Sequence, residues 1–210
     1  MAVNFLLHID WLGFVLASVA VVLAPGPGSM FVARTAGARG RRAGRMAMFG
    51  IMLGDSCLIA LSLLGVSALL QANPLLFHVI RLAGAGYLIY LGLQALFFSG
   101  AAKEGVAETN IALSLRQSFI ITLLNPKAVF FFMAFFPLFI RSAASGLLLP
   151  YLALSMVFML ISFLYLRLLI VTSARLGTAF RASHRVQSWA RRITGTLFLG
   201  YGIKVALASK

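Results

Sequence analysis

The sequence predicts an all-α membrane protein of six transmembrane helices, arranged as two inverted three-helix repeats in which helices 1 and 4 are broken at proline. Three observations lead to this fold class. Apolar residues make up 61% of the 210 and charged residues only 10%, whereas about a quarter of a soluble domain is charged. The mean hydropathy of +1.00 is spread over the whole chain. Proline interrupts two apolar stretches at corresponding places.

Six apolar stretches approach the roughly 20 residues that a helix needs to cross a ~30 Å hydrocarbon core. They are residues 11–33, 46–70, 82–102, 117–140, 142–166, continuing to 173, and 193–208. The last stretch is the shortest and contains Lys204, so a chain with five spans remains an alternative.

The distribution of cations predicts the orientation of the chain. With six spans, the loops after spans one, three and five hold twelve Lys and Arg residues and the opposite side holds four. Because basic loops stay in the cytoplasm, both termini are expected to be periplasmic. The cations lie between spans, which favours contact with anionic lipids at the cytoplasmic face and argues against nucleic acid as a partner despite the net charge of +14.

The chain is interpreted as a single transmembrane domain, 1–210, with repeat one over 11–98, a cytoplasmic linker over 99–116 and repeat two over 117–208. A short sequence echo supports the repeat, since Arg81-Leu-Ala-Gly84 resembles Arg192-Ile-Thr-Gly195. Because each repeat has an odd number of spans, the second repeat has the opposite orientation in the membrane. Helices 1 and 4 are therefore expected to be counterparts.

Both counterparts contain proline in the middle of the apolar stretch. Span one contains Pro25-Gly26-Pro27 and span four contains Asn125-Pro126-Lys127. A proline removes a backbone donor and leaves a carbonyl unsatisfied, so such a break must face protein or a wet cavity. Paired interruptions in corresponding helices indicate a transporter's substrate site; the alternative is an ordinary kink.

One acid lies at the same predicted depth as the breaks. Counting about 1.5 Å per residue from the nearest cytoplasmic arginine, Pro25, Asp55, Pro126 and Lys127 are all about 14 to 17 Å deep, near the middle of the core. Asp55 is the only acid in any span, and intramembrane acids usually mark transport pathways. It is expected to bind a substrate ammonium or a proton, or only to pair with Lys127.

The remaining features exclude several classes of chemistry. The single cysteine, Cys57, gives no disulfide framework or cysteine-based metal cluster, and the three histidines form no ligand spacing. No catalytic or nucleotide-binding fingerprint is present, so neither an enzyme nor a cofactor nor a metal site is predicted. Gly50 and Gly54 form a small-residue face that favours close helix packing. Arg167 is expected to extend to the inner interface.

Taken together, these motifs resemble the LysE/RhtB amino-acid exporters in order and spacing over nearly the whole chain. The segments that carry the resemblance are Pro25–Pro27, the glycines that lead to Asp55, the segment 84–92, and Asn125–Lys127 followed by Phe135-Phe136-Pro137. The resemblance implies a bacterial inner-membrane exporter of amino acids driven by the proton gradient. Gly28, Leu138 and Arg167 depart from the residues usual in the family.

The predicted function is proton-coupled export of neutral, aliphatic, leucine-like amino acids. The predicted site consists of seven residues: Pro25, Gly26, Pro27, Asp55, Asn125, Pro126 and Lys127. The alternatives are export of homoserine or threonine, export of a small cation, or a structural or assembly role in the membrane without transport. The substrate and protons are the expected partners, and a homo-oligomer is left open.

Overall fold

Helices form every regular element in the part of the chain that the computed structural model describes. That part comprises residues 9–24, 26–72, 111–140 and 148–176, with isolated positions within 79–97 and 192–207. The helices are α1 (Trp11–Leu23), α2 (Pro27–Ala72), α3 (Ile111–Leu123), α4 (Pro126–Phe130) and α5 (Leu148–Leu176). Beyond α4 the chain continues as a π-helical turn, Phe131–Phe135, and a 3-10 turn, Phe136–Phe139. Predicted spans three and six fall mostly outside the described residues.

Helix α2 is two helical arms joined by a reversal at Gly40. Gly40 has φ of 80°, a conformation that side chains other than glycine rarely adopt. A Cβ on Gly44 would lie 2.7 Å from the Ala36 Cβ, although residues eight apart in a straight helix are separated by about 12 Å. The two arms therefore pack antiparallel. The boundary predicted between spans one and two is thus a tight turn at Gly40 that joins the two arms directly. Arg41, Arg42 and Arg45 are exposed beside this turn.

The buried core consists of two clusters. One, here called the aromatic end, contains Phe14, Phe131, Phe132, Phe136, Phe139, Tyr151 and Phe158 and their aliphatic neighbours. The other, here called the arginine end because it adjoins the Gly40 turn, contains Phe31, Val32, Ala36, Ala47, Met48, Ile51, Leu166 and Ile170. The arginine end corresponds to the predicted cytoplasmic side.

Among the described residues, two stretches are long and apolar enough to cross a membrane, Pro27–Gly65 and Leu148–Arg175, and Trp11–Leu23 is a shorter apolar helix. Helix α5 shows how such a helix is placed. Its exposed side chains recur every four residues, and they are large and apolar: Leu152, Met156, Leu160, Leu164 and Leu168. A water-soluble protein rarely exposes so continuous an apolar face, which suits contact with lipid.

Helices α2 and α3 approach each other closely along the predicted glycine face. A Cβ on Gly50 would overlap the Ser118 hydroxyl and the Leu115 carbonyl oxygen, and a Cβ on Gly54 would lie 2.7 Å from the Thr122 Cβ. The prediction that this glycine pair serves packing is therefore confirmed. This contact fixes the height of α3, and so the height of the break that follows it.

Candidate functional site

Two helix interruptions meet near the centre of the bundle. Helix α1 ends at Leu23 and α2 begins at Pro27; Pro25 lies outside the described residues. Helix α3 ends at Leu123, and α4 begins at Pro126, where the missing N–H of proline costs no hydrogen bond. Both predicted breaks are therefore present.

Asn125 caps the second helix of the second break. Its side-chain oxygen accepts a hydrogen bond of 3.1 Å from the Lys127 N–H, which satisfies one of the N–H groups that a helix start leaves without a partner. The predicted site residue Asn125 thus shapes the backbone at this break. It also lines the cavity described below.

The Lys127 side chain connects the second break to the first. Its ammonium donates hydrogen bonds of 3.0 Å to the Val21 carbonyl and 2.9 Å to the Ala24 carbonyl. These carbonyls lie at the carboxyl end of α1, where intrahelical donors are missing and the helix dipole is negative. A Cβ on Gly26 would lie 3.0 Å from Lys127 Nζ, so glycine leaves the room for this contact.

Asp55 faces the same region from α2 but forms no direct ion pair. Its side chain is 5% exposed, and its charge is close enough to interact with that of Lys127. Within the described residues, no salt bridge or hydrogen bond joins the two side chains; the Lys127 ammonium is directed at α1 instead. A closed Asp55–Lys127 pair, one of the predicted alternatives, is not what the structure contains.

A cavity of about 70 Å³ lies between the two charged groups. Its polar lining includes Asp55, Lys127, Asn125, Ser29, Thr122 and Tyr165. Its apolar lining includes Phe131, Phe132 and Phe158 from the aromatic end, and Ile51 and Leu166 from the arginine end. The cavity therefore separates the two core clusters, and its volume exceeds the ~10–15 Å³ that one water molecule needs.

The first turns of two helices also reach this cavity. Gly28 and Ser29 from the start of α2, and Lys127 and Ala128 from the start of α4, are part of its lining. A helix start combines unpaired N–H groups with the positive end of the dipole, which favours an anion. The cavity lining thus combines groups of positive charge or potential, at Lys127 and the helix starts, with the carboxyl group of Asp55.

Helix α5 contributes residues that the sequence did not single out for the site. Ser162 and Tyr165 line the cavity, and the Tyr165 hydroxyl shares a hydrogen bond with the Ser29 side chain. Ser29 in turn accepts from the Gly26 N–H and donates to the Gly26 carbonyl, both at 3.2 Å. The only sequence signal for this hydrogen-bonded link between α5 and α2 is the helical spacing that puts Phe158, Ser162 and Tyr165 on one side of the span.

Of the three positions that depart from the family pattern, only Gly28 lines the cavity. A Cβ there would lie 3.1 Å from the Ile51 side chain. Leu138 packs against the aromatic end. Arg167 is exposed, with its guanidinium 5.9 Å from the centre of the Phe163 ring, so its charge is outside the cavity lining.

Exposed apolar helix faces around an internal charged cavity define a multi-pass helical membrane protein with a site at the junction of broken helices. The chain belongs to the LysE type translocator family, whose model matches residues 19–209. This membership confirms the predicted family and the all-α membrane fold, and it indicates a membrane transporter.

Relatives match the chain over nearly its full length. An uncharacterized membrane protein of Pseudomonas aeruginosa is 38% identical over 207 residues, which cover 95% of this chain and 96% of that protein. A leucine efflux protein of Enterobacter sp. strain 638 is 33% identical over 197 residues, covering 92% and 93%. A leucine efflux protein of Salmonella typhimurium is 31% identical over 196 residues, covering 92% of each. No solved structure matches the chain.

Proposed function

We propose that the protein exports neutral, aliphatic amino acids of the leucine type from the cytoplasm, in exchange for protons, with both termini periplasmic and the repeats over 11–98 and 117–208. One observation carries the proposal: the lining of one cavity contains the Asp55 carboxyl group together with the Lys127 ammonium and the first turns of two helices. A zwitterion has two poles of opposite charge, and a cavity lined by one acid and one base offers a partner for each. The names of the leucine efflux relatives support the substrate class.

The carboxylate of the substrate binds on the side of the helix starts in this proposal. The Lys127 ammonium has three N–H donors, and its two hydrogen bonds to α1 use two of them. The third is available to a carboxylate, beside the positive end of the helix dipole at the first turn of α2. Lys127 can therefore bind substrate without releasing α1.

The ammonium of the substrate then binds Asp55, and the side chain contacts the rings of Phe131, Phe132 and Phe158. Each buried methylene group contributes ~0.8 kcal/mol, which favours an aliphatic side chain over glycine. Asp55 carries the substrate ammonium or a proton in alternation, so release of one and binding of the other couples their movements.

The hydroxyl groups of the cavity favour a second candidate. Ser29, Thr122 and Ser162 line it, and a hydroxylated substrate such as homoserine or threonine would find hydrogen-bond partners there. However, the Ser29 and Thr122 hydroxyls already bond to backbone carbonyls of their own helices or the adjoining turn. This leaves the aliphatic substrate as the first choice.

The experiment that tests the proposal measures efflux of labelled leucine, threonine and homoserine from cells that express the protein or its Asp55→Asn variant. Loss of a buried charge partner is expected to lower leucine efflux by more than about tenfold. Ser56→Ala is the matched control, because Ser56 is adjacent, exposed and bonded to the Met52 carbonyl of its own helix. Undiminished leucine efflux in Asp55→Asn would remove Asp55 from the mechanism.

A double variant separates transport from a structural role in the membrane. Asp55→Asn combined with Lys127→Met removes both charges. A transporter loses flux while it still elutes as a folded protein from a sizing column in detergent; a structural or assembly protein retains its cellular effect. The small-cation alternative is tested by growth of the same cells on plates that contain toxic metal ions. Among the described residues, no group of three or more His, Cys, Asp or Glu could hold a metal ion.

A further inference from the structure

The rings of the aromatic end close one side of the cavity. Phe132, Phe136, Phe139 and Tyr151 are fully buried, as is Phe14 of α1. Phe14 contacts Phe136 and Phe139 edge to face, with ring centres 5.2 Å apart in both pairs. Within the described residues, these rings lie directly beyond the phenylalanines that line the cavity.

The innermost rings are shared between the aromatic end and the cavity. Phe131 and Phe132 lie on the π-helical turn that follows α4, and both line the cavity. They contact Phe158 of α5 at ring distances of 5.2 and 5.0 Å. A π-helical turn is rare and frequently occurs at functional sites, because it alters the register of the following turn.

Two hydroxyl groups tie this turn to its neighbours. Ser62 of α2 donates a hydrogen bond to the Phe132 carbonyl, and its oxygen lies 2.7 Å from the Tyr151 hydroxyl of α5. Ser62 is 1% exposed and Tyr151 is fully buried. The pair therefore links α2, the π-helical turn and α5 inside an otherwise apolar cluster, where polar contacts are strong and their loss is costly.

We propose that Ser62 and Tyr151 are positioning residues that hold the aromatic end shut as the outer gate of the cavity. The proposal rests on the transport function proposed above for its purpose, but its geometry does not depend on which solute is transported. Opening requires the π-helical turn to move away from α2, which breaks the hydrogen bond from Ser62 to the Phe132 carbonyl, and the Tyr151 hydroxyl holds the Ser62 hydroxyl in place for that bond. The Asp10 N–H, which donates to the Phe139 carbonyl at 3.0 Å, ties the same segment at its other end.

The test measures access to the cavity with a cysteine reporter. Ser162, which lines the cavity, is changed to cysteine in a Cys57→Ser background, and the full-length protein is studied in sealed membrane vesicles of both orientations. A charged, membrane-impermeant methanethiosulfonate is added from the side of the aromatic end. When opening is faster than the thiol reaction, the labelling rate is proportional to the fraction of open gates.

Tyr151→Phe and Ser62→Ala each remove one hydroxyl and retain the packing. Tyr151→Phe, which loses one hydrogen bond, is expected to raise the labelling rate from this side roughly two- to tenfold, and Ser62→Ala, which loses two, is expected to raise it further. Ser155→Ala is the matched control, since Ser155 lies one turn from Tyr151 and bonds to the Tyr151 carbonyl within α5; its labelling rate should equal that of the parent.

Three results would overturn the gate. They are an unchanged rate in a hydroxyl variant that elutes like the parent in detergent, an increase equal to that of Ser155→Ala, or an increase only from the opposite side of the membrane. Using two single variants keeps the test valid if one of them fails to fold. Because labelling needs no substrate, a faster rate alongside absent leucine efflux would support the gate and reject the proposed substrate.

Discussion

The two ends of the bundle are closed by different means. At the arginine end, helix backbones are in contact, because glycine and alanine leave no side chain between them: a Cβ on Gly44 would collide with Ala36, and one on Gly50 with the Leu115 carbonyl oxygen. At the aromatic end, helices are held apart by rings such as Phe14 and Phe136, which meet at 5.2 Å.

This difference indicates which end is adapted to move. Backbones in contact separate only as rigid helices, with loss of packing along their whole length. Rings contact each other edge to face and can change rotamer individually. The irregular turns at 131–139 also lie at the aromatic end, whereas the described arms of α2 and all of α3 are regular α-helix apart from Gly40. We therefore expect substitutions at the two ends to have different effects, and the predictions below test this.

The largest effect is expected from Gly50→Leu at the arginine end. Its side chain would overlap the Ser118 hydroxyl and the Leu115 backbone, and backbone cannot move aside as a flexible side chain can. The variant should give no folded protein, measured as the loss of the monodisperse peak in detergent. Gly65→Leu is the control, because Gly65 is exposed and a Cβ added there would have no heavy atom within 4 Å among the described residues. A folded Gly50→Leu protein would show that α2 and α3 are free to separate.

The next effect is expected from Phe136→Ala at the aromatic end. Phe136 is fully buried and contacts the rings of Phe14, Phe131 and Tyr151, and removal of a buried ring typically costs about 3 to 5 kcal/mol. The protein should still fold, with a clearly lower thermal midpoint in detergent. Phe49→Ala, at a position 51% exposed, should lower the midpoint much less. Equal losses of thermal midpoint for both variants would contradict the tight packing of Phe136 in the aromatic end.

A smaller effect is expected from Gly54→Ala, one turn from Gly50. The added methyl group would meet the Thr122 Cβ and Cγ2 at 2.7 and 2.8 Å. Because a Cβ is fixed by its backbone, α3 must shift by a few tenths of an ångström, and overpacking of this kind costs about 1 to 3 kcal/mol. Thermal midpoints of Gly54→Ala and Gly65→Ala, measured side by side, check this. A loss as severe as that of Gly50→Leu would mean that α3 cannot shift away from α2.

Sequence reasoning locates much of the site because its evidence is local. Proline removes a hydrogen bond wherever it stands in a helix, and a fixed rise per residue gives depth; these two facts predict that Asp55 and Lys127 share one level, and the structure puts both on one cavity. Local sequence evidence does not predict the form of the connection at Gly40, between the two arms of α2. The arginines around Gly40 predict a loop between spans, but a single residue with positive φ is enough to reverse the chain there.

The contacts of Lys127 cannot be predicted from sequence. Its acceptors, Val21 and Ala24, are more than a hundred positions away in the chain, and a charge balance alone favours Asp55 as its partner. The Tyr165–Ser29 hydrogen bond escapes prediction for the same reason. The first contact depends on how α4 packs against α1 and the second on the rotation of α5 against α2, and the apolar composition of these helices leaves both undetermined.

The smallest effect is expected from Arg167→Gln. This variant tests whether a charged side chain within a span affects transport when it lies outside the cavity lining. Arg167 is exposed, does not belong to the cavity lining and contacts the Phe163 ring at 5.9 Å. An exposed cation–π contact contributes about 0.5 to 1 kcal/mol, so the thermal midpoint should fall only slightly and leucine efflux should equal that of the parent. Lys127→Gln, which loses the two hydrogen bonds to α1, provides the contrast and should abolish efflux. If Arg167→Gln reduced efflux as strongly, the substrate path would have to pass outside the cavity, along the exposed side of α5.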